Sequence, residues 1–301
     1  MQSLRALIQE RKKQMKALIL AHYYQPADIQ KIADFVGDSL ELSRKAQQAD
    51  VETIVFCGVY FMAESAKILS PKKRVLIPDS SAGCPMADGI SPEDVRRLRQ
   101  QFPQAAVVTY INSSAAVKAE SDICCTSANA RAVVASLPEH EIIFIPDRNL
   151  GQYVAQTSDK IFHFFDGCCP IHQQFTREQV LRAGKRHPGV PILVHPECPP
   201  EVTRLADFIG STSRIIEYAA ASPESSFIIG TEPGILFPLR QACPGKTFYL
   251  LSSRAICPDM KKITPKMVLD CLTTGQHAVE LDDDILIRAT GSLERMMSVH
   301  A

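Results

Sequence analysis

Apolar positions along the chain come in short unbroken runs of strand length, separated by longer stretches of mixed character at helical spacing. The runs ALILA (17–21), TIVF (53–56), RVLI (74–77), AVV (106–108), IIFI (142–145), PILV (191–194), SFII (226–229) and TFYLL (247–251) show almost no alternation. A strand with one wet face alternates apolar and polar residues, so these runs predict strands covered on both faces, as in parallel sheets flanked by helices. Ahead of them, Leu4, Leu7, Ile8 and Met15 lie at helical spacing among Arg5, Glu10, Arg11, Lys12 and Lys13, the pattern of an amphipathic surface helix rather than of a secretory signal. After them, ITPKMVLDCLTTG predicts a helix capped by Thr264 and opened by Pro265, and Asp282, Asp283 and Asp284 form a solvated cap before ILIRATGSLERMM.

The pattern repeats three times. His22, Tyr110 and His195 each follow a first apolar run, 88 and 85 residues apart, and Tyr24, Asn112 and Glu197 follow two residues later. Ser39, Ser127 and Thr212 each stand 17 residues after the first member of their copy, and each copy closes on Cys-Pro, at Cys84, Cys169 and Cys257. Four columns in three copies mark real internal repetition. Three apolar runs and their intervening helices in about 85 residues make a small right-handed α/β unit with a parallel sheet. The expected fold is therefore α/β, with three quasi-equivalent three-layer α/β/α domains around a pseudo-threefold axis and the active site at the centre. The expected domains are 1–84, 85–170 and 171–257, with segment 258–301 packing back on the first.

Charge and composition narrow the function. Lys plus Arg is 33 and Asp plus Glu is 33, a balance that argues against a nucleic-acid partner. No apolar run approaches the ~18 residues a membrane span needs. With no targeting signal, a reducing cytoplasm is the expected location, and there the ten cysteines are more useful as ligands or catalysts than as a disulfide scaffold.

Ligands of parallel α/β sheets gather at the carboxyl ends of the strands, which is where the repeat columns fall. Three cysteines, one per copy, are the ligand type of an iron–sulfur cluster and leave a fourth position open, where iron acts as a Lewis acid. Two other readings of Cys84, Cys169 and Cys257 stand beside this one: inert strand-end thiols, and a zinc site completed by His172. Cys57, Cys124, Cys125, Cys168, Cys198, Cys243 and Cys271 lack the symmetry and read as packing residues, with Cys168 the one rival to Cys169. The hydroxyl column stands at three helix starts, each of which alone reads as a plain N-cap. Aimed at one cavity, they make an anion trap for a small polyanion. Neither G-x-G-x-x-G nor a P-loop occurs. Glu197, among His22, His195, Tyr24 and Tyr110, is a candidate general base with tyrosine and histidine as proton donors.

The segments AHYYQ, GDS (37–39), PDSSAGCPMAD, TYINSSAAVKA, CCTS, Cys169-x-x-His172, VHPEC, GSTS, GTEPG and CPDMKKIT run in order along nearly the whole chain. In them the chain resembles the quinolinate synthase A family of de novo NAD biosynthesis. The resemblance implies a [4Fe–4S] cluster on Cys84, Cys169 and Cys257, and condensation of iminoaspartate with dihydroxyacetone phosphate to quinolinate, phosphate and water. It implies that His22, Ser39, Tyr110, Asn112, Ser127, His195, Glu197 and Thr212 bind substrate and intermediates. Glu197 is then the base assisted by Tyr24, with His195 and Tyr110 also at the reacting centre, and His172 faces the cavity in a less defined role. An enzyme that generates iminoaspartate is the implied functional partner. Cys257 is followed by Pro258, Asp259 and Met260, so the Cys-x-x-Cys thiol switch of some relatives is absent. Two competing functions remain: a hydro-lyase acting on a single hydroxy acid, and an iron–sulfur redox sensor, which needs a complete ligand set and no convergent acid–base residues.

Overall fold

The computed structural model describes residues 3–299. It contains twelve short strands in three separate four-stranded parallel sheets. The first holds β1 (Ala17–His22), β2 (Phe35–Gly37), β3 (Thr53–Cys57) and β4 (Arg74–Leu76), in the order β2-β1-β3-β4. The second holds β5 (Ala106–Tyr110), β6 (Ile123–Cys125), β7 (Glu141–Ile145) and β8 (Ile161–Phe164), in the order β6-β5-β7-β8. The third holds β9 (Ile192–Val194), β10 (Phe208–Ile209), β11 (Ser226–Gly230) and β12 (Thr247–Leu250), in the order β10-β9-β11-β12. All pairings are parallel and the topology is the same three times, so the chain is three quasi-equivalent α/β units and not a closed barrel.

Both faces of each sheet are buried, which explains the unbroken apolar runs. In the first sheet Leu20, Ile54 and Phe56 enter one core, while Ile19, Ala21, Val55 and Cys57 enter another on the opposite face. The inner core is shared with Leu193, Phe227 and Ile229 of the third sheet, so the first and third repeats meet through continuous apolar packing. Val108, Ile142 and Phe144 of the second sheet bury with Ile68 and Leu69 of the first repeat, and Val107, Ile143 and Ile145 pack outward.

Each sheet has one strand more than the three apolar runs predict. The added strands β2, β6 and β10 are two or three residues long, too short to show as a run. They form because an aspartate column fastens them to the sheet. Asp34 accepts the Ile19 N–H at 2.8 Å, Asp122 the Val107 N–H at 2.7 Å and Asp207 the Ile192 N–H at 2.8 Å. A lysine column works at the other edge. Just before the fourth strand of each sheet, Lys73, Lys160 and Lys246 donate to helix-end carbonyls at Ala46 (2.7 Å), Leu137 (2.6 Å) and Ser222 (2.6 Å). A cation there complements the negative end of the helix.

The segment after Cys257 divides between two repeats instead of packing wholly on the first. The helix Pro265–Thr274, capped by Thr264 as expected, lies against the helix Leu4–Gln14 and buries Val268 and Leu272 in the outer core of the first sheet. The helix Asp283–Ser298 lies on the second repeat, where Leu293 and Met296 join the core around Phe144. Among the described residues no helix is long and apolar enough to cross a membrane.

Removing one aspartate of the edge column deletes a charge-assisted hydrogen bond to the backbone. Asp207→Ala should lower the unfolding free energy by about 1.5–3 kcal/mol with the cavity unchanged, as measured by urea denaturation.

Candidate active site

The carboxyl ends of the three sheets face one cavity of about 400 Å³. His22 ends β1 and Tyr110 ends β5, while His195 directly follows β9. These three line the cavity with Tyr24, Asn112 and Glu197, the residues two positions further on. The hydroxyl column (Ser39, Ser127, Thr212) also lines it, and so do Cys84, Cys169 and Cys257. All twelve residues singled out in the repeat columns therefore meet in one space. Cys168 does not line it, and the other unassigned cysteines are buried in the cores.

Each of the three cysteines is followed by proline and then by a single helical turn. Those turns aim backbone N–H groups at the sulfur: Met86 and Ala87 at Cys84, His172 at Cys169, and Asp259 and Met260 at Cys257. The donor three residues on is common to all copies. Burial pushes the free thiols up, Cys84 to about 12, and the N–H donors pull the other way. A carboxylate holds each cysteine's own N–H: Asp88 for Cys84 (3.1 Å), Asp147 for Cys169 (3.1 Å) and Glu232 for Cys257 (3.4 Å). Three soft donors, each in a cradle of N–H groups that favours thiolate, fit an iron–sulfur cluster.

The hydroxyl column is not the set of caps. The helix Ser39–Gln48 is capped by Asp38, in a capping box with Glu41, and the helix Thr212–Ala221 by Ser211. The helix Ala130–Ser136 starts after Asn129, leaving Ser127 in the turn before it. Asp38 and Ser211 cap two of these helices and Asn129 makes no side-chain cap bond, so none of the hydroxyls of Ser39, Ser127 and Thr212 is used as a cap. The buried Oδ1 of Asn112 has no partner among the described residues.

His22 and His195 share a local device. Nδ1 of His22 accepts the Tyr24 N–H at 3.1 Å, and Nδ1 of His195 accepts the Glu197 N–H at 3.3 Å. An acceptor Nδ1 means the proton sits on Nε2. Burial drives the pKa of both rings down to about 3, so both are neutral donors to the cavity.

Glu197 is 3% exposed and joins a line of side chains from all three repeats. Its Oε1 accepts from the Tyr110 hydroxyl at 2.6 Å, and its Oε2 lies 2.6 Å from His172 Nδ1. His172 Nε2 is 2.8 Å from Thr231 Oγ1, which is 2.5 Å from the Tyr24 hydroxyl. Burial opposes the charge on Glu197, but the neighbouring His172 and the hydrogen bonds from His172 and Tyr110 outweigh it and hold the carboxyl well below its usual range. At 2.6 Å from a carboxylate oxygen, His172 Nδ1 is placed as the donor, whereas His195 Nδ1 accepts the Glu197 N–H. Burial, with Glu197 adding to it, holds Tyr24 and Tyr110 well above the ordinary phenol range, so both keep their protons. Cys169 Sγ, His172 Nδ1 and a Glu197 oxygen also lie within 4.8 Å of one another, close enough to hold one ion.

The comparisons with known proteins bear on this geometry. The family model described as Quinolinate synthetase A protein matches residues 6–298. The chain belongs to the quinolinate synthase A family. Its members are enzymes. Among curated relatives, Quinolinate synthase 1 of Methanosarcina acetivorans is 50% identical over 97% of this chain and 96% of its own. Quinolinate synthase of Geobacter metallireducens is 51% identical over 99% and 97%, and that of Methanoregula boonei 51% over 98% and 99%.

Thr231, Glu232, Asp147 and Lys261 gain roles that the repeat columns do not show. Thr231 and Glu232 lie in GTEPG and Lys261 in CPDMKKIT, segments of the family pattern with no chemistry of their own in the sequence. Between pH 7 and 4.5, ¹⁵N spectra should show His22 and His195 as neutral Nε2–H tautomers. Full protonation of either ring by pH 5 would contradict the geometry.

Proposed function

We propose that this enzyme condenses iminoaspartate with dihydroxyacetone phosphate to quinolinate, releasing one phosphate and two waters. The observation that carries the reading is the cysteine triad: one thiol per repeat, in one cavity, each in the same Cys-Pro turn with N–H donors aimed at sulfur. Cys84, Cys169 and Cys257 would hold a [4Fe–4S] cluster. With three protein ligands the cluster supplies an iron open to a substrate oxygen, a Lewis acid for loss of hydroxide.

The protein's own groups do the rest. Neutral Nε2–H donors of His22 and His195, with the hydroxyls of Ser39, Ser127 and Thr212 and the amide of Asn112, bind a small polyanion at helix starts. Glu197, ionised and buried, takes a proton from carbon, and Tyr110 steadies its other oxygen. Tyr24 keeps its phenolic proton for a departing oxygen. His172 and Thr231 stand between the Glu197 carboxylate and the Tyr24 hydroxyl. Thus the base and the acid are joined by a line of hydrogen bonds without crossing the cavity.

An open iron with the anion trap also suits a hydro-lyase on one hydroxy acid. Phosphate release coupled to dihydroxyacetone phosphate use separates the two. The ten cysteines are free thiols, and a cluster open to oxygen needs reducing surroundings, so we assign the chain to the cytoplasm. Imines hydrolyse in water, so an enzyme generating iminoaspartate works alongside.

Anaerobically prepared protein should contain about four irons per chain and form quinolinate with stoichiometric phosphate. Cys169→Ala should lose iron and activity together and Cys168→Ala neither. The reverse pattern would move the ligand to Cys168. Glu197→Gln should keep its iron and lose at least about a hundredfold in kcat. Near wild-type turnover would remove Glu197 from the base role.

A further inference from the structure

Glu232 and Lys261 form an ion pair beside the cavity that the hydrogen-bond line from Glu197 to Tyr24 does not use. The Glu232 side chain is 1% exposed and that of Lys261 28%, and Oε1 lies 2.8 Å from Nζ. The same Oε1 accepts the Cys257 N–H at 3.4 Å, and Oε2 accepts the Gly234 N–H at 2.6 Å. The Lys261 ammonium also donates to the Tyr24 carbonyl. One pair therefore touches the main chain of Tyr24, from the first repeat, and of Cys257, which closes the third.

The contact is close. A Cβ on Gly234 would stand 2.7 Å from Tyr24 Cα, so only glycine lets the two backbones meet. Gln30 donates across the same joint, to the carbonyls of Tyr23 (2.9 Å), Gln25 (2.8 Å) and Gly234 (3.2 Å). Tyr24 is thus gripped at both ends: its hydroxyl by Thr231, its carbonyl by Lys261.

The three carboxylates that hold the cysteine N–H groups are not equivalent. Asp88 and Asp147 have no ion-pair partner among the described residues, whereas Glu232 has Lys261, which reaches across to the first repeat. A carboxylate this deeply buried needs that cation, because an unpaired charge in a low dielectric is costly.

We infer that Glu232 and Lys261 are a positioning pair: their ion pair clasps the first repeat to the third and sets Tyr24 at a fixed place relative to Cys257. Neither residue touches the reacting atoms. The inference rests on the reading of the cavity as the reaction site, since it assigns the clasp a consequence for turnover.

The test uses full-length, anaerobically prepared protein carrying Lys261→Met, Glu232→Gln, both together, or Lys261→Arg. In Lys261→Met, kcat should fall by about tenfold to a hundredfold, the cost of displacing a reacting group by about 1 Å. KM should change less than about threefold, and iron content should match wild type, because substrate binding and the three thiols remain. The double variant should be no worse than the more impaired single one, as expected of residues acting as a unit. Lys261→Arg, which keeps charge and donors, should recover most of the lost kcat, and it carries the test if Lys261→Met does not fold. Hydrogen exchange should rise at least about tenfold in peptides covering 22–26 and 256–262 of Lys261→Met and stay unchanged in β5–β8. Wild-type kcat, additive losses, failure of arginine to rescue, or faster exchange spread evenly over all three sheets would overturn the clasp. If wild-type protein forms no quinolinate, the proposed reaction fails, and the exchange pattern still decides whether the clasp exists.

Discussion

A buried ionised carboxylate stands at the centre of this molecule, and much of the surrounding architecture meets its requirements. Glu197 has almost no contact with solvent. A charge in that position survives only if hydrogen bonds and neighbouring positive charge replace the water it has lost. Its own repeat supplies Thr231, behind His172. The second repeat supplies Tyr110, the connection between the second and third supplies His172, and the first contributes Tyr24 at the far end of the line. No single repeat contains the set. The site is complete only when all three carboxyl edges point inward.

The repeats solve one structural problem three times and then diverge where chemistry begins. The aspartates that fasten the edge strands and the lysines that close the helix ends are the same in every copy, as are the Cys-Pro turns. The columns nearer the centre differ. Histidine, tyrosine and histidine occupy one, and tyrosine, asparagine and glutamate the next. A symmetric cradle thereby holds an asymmetric set of donors and acceptors, which a substrate with unlike ends requires. The clasp between Glu232 and Lys261 belongs to this asymmetry, since it ties only the first and third repeats.

Burial has opposite consequences for neighbouring groups in the same cavity. It keeps His22 and His195 neutral, so both face a ligand as donors, and it keeps the phenols of Tyr24 and Tyr110 protonated, the latter donating to Glu197. Glu197 alone escapes, because His172 and two short hydrogen bonds overcome its desolvation. Donors and base thus coexist at neutral pH without sharing a proton.

The amino-acid sequence by itself determined the repeat, the class of fold and the residues that meet at the centre. Strands buried on both faces need unbroken apolar runs, and the repeat columns put His22, Tyr110 and His195 at equivalent strand ends and the three cysteines in equivalent Cys-Pro turns. Cys169, which holds the Cys-Pro register, lines the cavity, and Cys168 does not. Only the tertiary structure decided the rest. Strands of two or three residues leave no periodic trace, and the aspartates that hold them look like ordinary loop residues. Thr231 meets Tyr24 across 207 positions of sequence, and Lys261 meets the Tyr24 carbonyl across 237. Such pairings carry no spacing signal, because sheet packing, not local chain geometry, brings their atoms together.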